Sequence, residues 1–364
     1  MTGATFAEGP LRILHVIRSS QFAGVEQFVR RLAIAQSVAG HSVAVVGGEE
    51  RRMRDSLRAV GVGFRPVRQI GAVAAAVRSN AHCVDVINSH MTAADIGAVV
   101  GRGLTRADPT IVSTRHFAQP RGSTGPRWMY RKLERSIDAE LSISASVAAA
   151  VGVPSTIVHP GVDRRDAPAE ETRGRKVLIA QRLEAEKHTD VGIRAFVASG
   201  LAHSGWVLEI AGAGAEAYAL EVLTSSLGVS HCVRFLGFRD DVPTLMDRAG
   251  LFLATCPYEH FGLSVLESMS SGLPVVAAQA AGHVEMLVGL DPRALFGPDD
   301  VATAAHSLRS LAEDDAGRRR LGRAEQDRQR ARFSLDSQVR QTDAAYRIAI
   351  ASRGGSAHRE RGRP

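Results

Sequence analysis

At roughly 150 residues per domain, a chain of 364 residues implies two domains, each able to bury its own core. Hydrophobic residues at 45% and charged residues at 23% are the proportions of an ordinary soluble globular protein, and three scattered cysteines, Cys83, Cys232 and Cys256, offer neither a disulfide framework nor zinc-ligand spacing. The net charge of +7 raises nucleic acid as a partner, but the arginines between 318 and 332 alternate with Glu325 and Asp327 as on a solvated helix face. A second basic group lies in the tail 353–364, expected to be disordered, and no aromatics are interleaved among these arginines to stack on bases, so no nucleic acid is expected.

No apolar run approaches the roughly 20 residues of a membrane span, and residues 1–7 lack a signal peptide's charge and apolar core. A cytoplasmic location is expected. In chain order, 11–17 reads as a strand, 19–24 as a turn containing Gly24, and 25–33 as a helix with apolar residues at 25, 28, 29 and 32. A strand leading through a glycine turn into a helix is a phosphate-binding geometry, though one glycine is a weak signal. Strands at 42–48, 84–90, 110–116 and 138–144 follow, with a polar helix over 50–60. Such alternation implies an α/β fold with a doubly wound parallel sheet whose ligands sit at the strands' C-terminal edge, where His90 and His116 both fall. Neither has a Ser or Asp partner at readable spacing, so a hydrolytic triad is not supported.

The stretch 115–135 carries Arg121, Arg127, Arg131, Lys132 and Arg135 around Trp128, Met129 and Tyr130. It suits an anionic membrane surface or a phosphorylated acceptor; equally, Trp128, Leu133 and Ile137 suit a core with the arginines facing water. Both readings stay open, and with them a peripheral contact with the inner face of the plasma membrane. A polar connection at 164–176 then divides the chain into domains 1–163 and 164–335, with a helix over 336–350 and the tail 351–364.

The second half opens with a strand at 176–180, a further strand ends in a glycine turn over 206–214, and a strand and its loop span 231–242. The densest stretch is 250–278, a strand (250–254), a loop, a helix from Gly262 to Gly272, and a second strand (274–278). The helix N-terminus faces the strands' carboxyl ends, and its free N–H groups and dipole favour an anion. Glu259 lies before the helix and Glu267 within it. Two carboxylates beside an anion site repel the anion unless hydroxyls hydrogen-bond to them, so a ligand carrying both phosphate and vicinal hydroxyls is inferred. Either glutamate alone reads as a surface charge; the pair in this setting does not.

Glu259 and Glu267, in the frame Glu-His-Phe-Gly-Leu-Ser-Val-Leu-Glu-Ser-Met-Ser-Ser-Gly-Leu-Pro-Val-Val, resemble the double-glutamate motif of the retaining family 4 glycosyltransferases, glycosyl transferases group 1. The resemblance implies GT-B architecture, two facing Rossmann-like domains with a C-terminal helix crossing back to the first. It places His116 beside the transferred sugar, makes Arg182 and Lys187 the cations that carry the donor's diphosphate, and sets Phe238 near the nucleobase. Glu267 then binds the ribose, Glu259 holds the sugar hydroxyls, and the backbone at Phe261, Gly262 and Leu263 supports sugar or phosphate, with Gly24 approaching the donor from the first domain. Residues 281–285 resemble the glycine-containing turn that follows in the family. This chain departs from the pattern at Ala23, Gln181 and Ala213, which stand where glycine, glycine and an acidic residue are usual.

The activity so implied is transfer, with retention, of a hexosyl or N-acetylhexosaminyl group from a UDP- or GDP-linked sugar to a hydroxyl of a cell-envelope lipid, polysaccharide or small-molecule acceptor, lipid-linked and phosphorylated acceptors included. No Asp-x-Asp metal motif is present, so no metal or other cofactor beyond the nucleotide-sugar co-substrate is expected. The alternatives are a nucleotide-sugar epimerase on the same architecture and a non-catalytic sugar-nucleotide-binding module.

Overall fold

The computed structural model describes residues 9–19, 22–122, 127–168 and 173–361. Ser20 and Gln21 of the expected first turn, residues 1–7, part of the 164–176 connection, the side chain of Arg127 and the end of the basic tail lie outside the described residues.

The chain forms two compact units, Met1–Pro160 with Leu335–Pro364, and Gly161–Ser334. The first boundary falls at 160/161 rather than 163/164 for a local reason. Val162 bridges to Ser334, its N–H donates to Phe333 O, and its carbonyl accepts from Gln329 Nε2, so 161–163 is fastened to the last helix of the second unit.

The first unit carries β1 (Arg12–Ile17), β2 (Ser42–Val46), β3 (Gly63–Arg65), β4 (Val86–His90), β5 (Thr110–Arg115), β6 (Ala139–Ser142) and β7 (Thr156–Ile157), in the order β3-β2-β1-β4-β5-β6-β7. Every pairing is parallel. Strands buried on both faces read as continuous apolar runs, which is why β1 and β2 stand out in the sequence. The three-residue β3 and two-residue β7 are too short for any period to register. One face of the sheet is covered by helices Ile70–Asn80 and Thr92–Gly103, through Val73, Val77, Ala94 and Ala98. The other is covered by helix Leu335–Arg361, whose fully buried Tyr346 packs with Ile13, Val86 and Val112. Full burial of such a side chain stabilises by about 2 kcal/mol.

That last helix corrects the expected disordered tail. It does not end near 350 but runs to Arg361, and just beyond 350 Arg353 ties it to the first unit through ion pairs with Asp138 at 2.6 Å and with Asp108.

The second unit has β8 (Lys176–Ala180), β9 (Val207–Ala211), β10 (Val233–Gly237), β11 (Leu251–Ala254), β12 (Val275–Ala278) and β13 (Leu295–Phe296), ordered β10-β9-β8-β11-β12-β13 and again parallel throughout. The α/β fold with two Rossmann-like sheets therefore holds. Helix Asp315–Arg332 does expose Arg319, Arg320, Arg323, Asp327 and Arg332, as expected of a solvated face, but Glu325 is not on that face: it is fully buried and accepts from Val275 N–H at 3.1 Å, and Gln326 Nε2 donates to Ser270 O at 2.8 Å. It braces helix Leu263–Ser270 from behind.

Candidate active site

In the second sheet the strand order reverses between β8 and β11, and in open parallel sheets ligands bind beyond the carboxyl ends of strands at such a switch. The loops leaving these strands are joined by Gln181. Its side-chain amide reaches Lys187 O at 3.1 Å, Thr189 Oγ1 at 2.9 Å and Thr255 Oγ1 at 3.0 Å, and Thr255 Oγ1 in turn donates to Lys187 O at 2.7 Å. The departure from glycine at 181 thus supplies a brace that sets the backbone of Lys187.

Lys187 Nζ lies 2.6 Å from Glu259 Oε2 and 3.6 Å from Cys256 Sγ. Burial works against the ammonium, but the carboxylate and the thiol outweigh it and hold Lys187 above its ordinary range. Burial likewise pushes Glu259 up, and Lys187 more than offsets it, so the carboxyl stays below its usual range. Both groups are charged at neutral pH. Arg182, on the same loop, is exposed and pairs with Glu186 at 2.8 Å, yet it is near enough to Lys187 to repel it. Two cations converge here, Lys187 partly buried and already neutralised, Arg182 at the surface.

After Glu259 the chain turns at Gly262, whose φ of +100° is the left-handed region that glycine alone adopts without strain. Helix Leu263–Ser270 begins at once, and no side chain caps it, so its first N–H groups have no intrahelical partner. Phe261 is buried against Phe333, with ring centroids 5.9 Å apart, so its backbone alone can serve a ligand. Leu263 and Glu267 are half-buried on the helix. Gly282, at the start of helix Ala281–Leu287, donates its N–H to Glu259 O at 3.2 Å and lies so close to Phe261 that a Cβ there would sit 2.3 Å from the Phe261 Cα. The glutamate loop is therefore pinned from both sides. Phe238, just beyond β10, is 57% exposed.

The reading of 281–285 as a turn does not single out His283, which is buried beside Gly262 with its Nδ1 2.9 Å from Ala278 O. The carbonyl fixes the proton on Nδ1, and burial lowers the pKa, leaving Nε2 as an acceptor near the glutamate loop. A polar residue placed directly after the loop-contacting glycine is the only sequence signal for it.

In the first unit Gly24 is the exposed first residue of helix Gly24–Val38, and the carboxylate of Glu26 accepts from Ala23 N–H at 2.8 Å. His116 and His90 are both buried and hydrogen-bonded to each other, Nε2 to Nδ1, at 3.0 Å. Burial takes His116 down to about 3. Neither description of 115–135 holds whole. Trp128 is 71% exposed and so is no core residue, Leu133 is buried, and Arg121 does not face water but is buried between Asp95, at 2.8 Å, and Glu140. Arg131, Lys132 and Arg135 are exposed.

Residues 163–328 match the family described as glycosyl transferases group 1. This segment belongs to that family. A curated relative, the glycogen synthase of Mycobacterium tuberculosis, is 29% identical over 236 residues, 62% of this chain and only 56% of the synthase's own length. The lipopolysaccharide core biosynthesis mannosyltransferase LpsB of Rhizobium meliloti is 24% identical over 348 residues, 90% of this chain and 94% of its own. Among solved structures, Anabaena Alr3699/HepE in complex with UDP and glucose superposes with a TM-score of 0.76 over 92% of this chain and 98% of that one, at 20% identity, which carries the GT-B fold.

The group 1 segment contains Arg182, Lys187, Phe238, Glu259, Phe261, Gly262, Leu263 and Glu267, whereas Gly24 and His116 precede it. Among the described residues no group of three or more His, Cys, Asp or Glu could hold a metal ion, and no helix is long and apolar enough to cross a membrane.

Proposed function

We propose that the chain is a retaining glycosyltransferase of family 4 that moves a hexosyl or N-acetylhexosaminyl group from a UDP- or GDP-linked sugar to an acceptor hydroxyl. One observation carries this reading. Lys187 and Glu259 form a partly buried ion pair at the β8/β11 switch, on the loop that leads into an uncapped helix N-terminus. A nucleotide sugar presents both complements at once: phosphate oxygens for Lys187, Arg182 and the free N–H groups, and hydroxyl donors for Glu259. On binding, Lys187 exchanges part of its interaction with Glu259 for the diphosphate, and Glu259 accepts from sugar hydroxyls instead. Glu267, one face of the helix further on, is the ribose ligand, and the exposed Phe238 is the surface against which the base lies.

In the transfer step the bond from the anomeric carbon to the phosphate oxygen breaks, the acceptor oxygen bonds to that carbon on the same face, and the acceptor proton passes to the departing diphosphate. Charge grows on that diphosphate, so Arg182 and Lys187 act where stabilisation counts most. Glu259, held below its ordinary pKa and paired, positions the sugar rather than attacking it. His116, kept neutral by burial, is a hydrogen-bonding group toward substrate rather than a cation. The cations do the work a divalent ion does elsewhere, so transfer is independent of added metal, and the reaction belongs in the cytoplasm where nucleotide sugars are made.

The test is thermal stabilisation by a panel of UDP- and GDP-linked sugars, repeated with Lys187→Ala and Glu267→Ala. Stabilisation by one nucleotide series, abolished by both substitutions, is expected. No stabilisation by any of them overturns the reading. Nucleoside diphosphate release that requires an acceptor and persists in excess chelator is expected; release without acceptor identifies an epimerase, and binding without release a non-catalytic module.

A further inference from the structure

A chain of hydrogen bonds inside the first unit ends on His116. Leu11 N–H donates to His41 Nδ1 at 2.9 Å, so the proton of His41 sits on Nε2, which donates to Asp343 Oδ2 at 2.7 Å. The other carboxylate oxygen, Oδ1, accepts from Gln36 Nε2 at 3.2 Å. That contact orients the amide of Gln36, and its Oε1 faces His15 Nε2 at 2.7 Å. An amide oxygen only accepts, so His15 carries its proton on Nε2 and offers the lone pair of Nδ1 to His90 Nε2 at 3.1 Å. The same logic puts the proton of His90 on Nε2 and leaves its Nδ1 to accept from His116 Nε2 at 3.0 Å.

The rings are held for this by their surroundings. His15, His90 and His116 are all buried, His15 and His90 stack with centroids 5.4 Å apart, and Phe28 meets His116 edge-on at 4.8 Å. Arg115 adjoins His116 and disfavours its protonation, while the Tyr346 hydroxyl, which accepts from Asn88 Nδ2 at 2.5 Å, also hydrogen-bonds Gln36 and can serve either orientation of the amide. With one proton on each ring, the chain has a single direction.

We propose that Asp343, on the last helix, is a positioning residue that fixes the tautomer of His116. Acting through Gln36, His15 and His90, it holds the proton of His116 on Nε2 and presents Nδ1, which has no hydrogen-bond partner among the described residues, as an acceptor for a ligand hydroxyl. The ligand's part in this rests on the glycosyltransferase reading; the tautomer does not.

An isosteric change reverses the order. In Asp343→Asn the His41 Nε2–H still requires an oxygen, so the new amide nitrogen turns toward Gln36. Gln36 must then flip and donate to His15 Nε2, and each histidine in turn shifts its proton to Nδ1. His116 becomes a donor at Nδ1.

Long-range proton–nitrogen NMR on protein labelled at histidine nitrogens, with His116 assigned by its loss in His116→Asn, reads this directly. In the unsubstituted protein, a proton on Nε2 and none on Nδ1 is expected, and the opposite result overturns the proposal without recourse to any variant. In Asp343→Asn the proton is expected on Nδ1; a folded variant with the unsubstituted protein's tautomer also overturns it. Neither outcome depends on transfer activity, so failure of the relay is separable from failure of the enzymatic reading.

Discussion

Lys187 and Glu259, 72 residues apart in sequence, meet at 2.6 Å because the loops after β8 and β11 are braced to each other through Gln181 and Thr255. Removing either partner leaves the other partly buried and unpaired. Lys187→Ala is expected to cost about 1 to 3 kcal/mol of stability, below the full penalty of a completely buried pair. Glu259→Gln, which keeps an acceptor oxygen, costs less. In a double-mutant cycle by urea unfolding, the pair is expected to be less destabilised than the sum of the two single changes, and strict additivity would show that the contact contributes nothing.

Gly282 is a close-approach position. A methyl group there meets the backbone of Phe261 at 2.3 Å, and backbone cannot move as a flexible side chain does. Gly282→Ala is expected to displace the 259–262 loop, lowering stability by about 1 to 3 kcal/mol, the usual cost of overpacking. Donor-induced thermal stabilisation should fall with it. A variant that melts and binds like the unsubstituted protein would mean that the loop tolerates displacement.

The buried histidines make stability depend on pH. Burial lowers His15 to about 4 and His116 to about 3, from the ordinary 6.5. Below pH 6.5 the unfolded chain takes up protons that the folded one refuses, so stability is fully present above 6.5 and is lost as pH falls toward 4. For each ring the loss at pH 4.5 is on the order of 2 kcal/mol. Urea unfolding at pH 7.5 and 4.5 measures it, and His116→Asn is expected to flatten the slope by one ring's share.

Glu325 titrates the other way. Full burial, only partly offset by the Val275 N–H, raises its carboxyl well above the ordinary 4.5. The unfolded chain therefore releases a proton that the folded state keeps, and stability is lost as pH rises above 4.5. Glu325→Gln retains an acceptor for Val275 and removes the ionisable group. Its melting temperature relative to the unsubstituted protein is expected to be higher at pH 8 than at pH 5. Each tenfold difference in the carboxyl's proton affinity between the folded and unfolded chain contributes about 1.4 kcal/mol to that gap.

The parallel strands, the two-domain division and the strand, glutamate loop and helix of 250–278 were legible in the sequence because each is local: apolar runs, a glycine stop, a proline after it. Gly262 and the Glu259 and Glu267 frame are likewise read from neighbours in the chain. The partnerships were not. Lys187 with Glu259, Gln181 as the brace of both loops, His283 behind Gly262, and the line from Asp343 to His116 all join residues brought together by strand order and helix packing, and sequence spacing carries no trace of which elements become neighbours. Burial reversed other readings. Arg121 and Glu325 look like surface charges in a charged sequence, but packing places one between two carboxylates and the other against a strand's first N–H. A charge's meaning depends on the medium around it, and that medium exists only once the chain has folded.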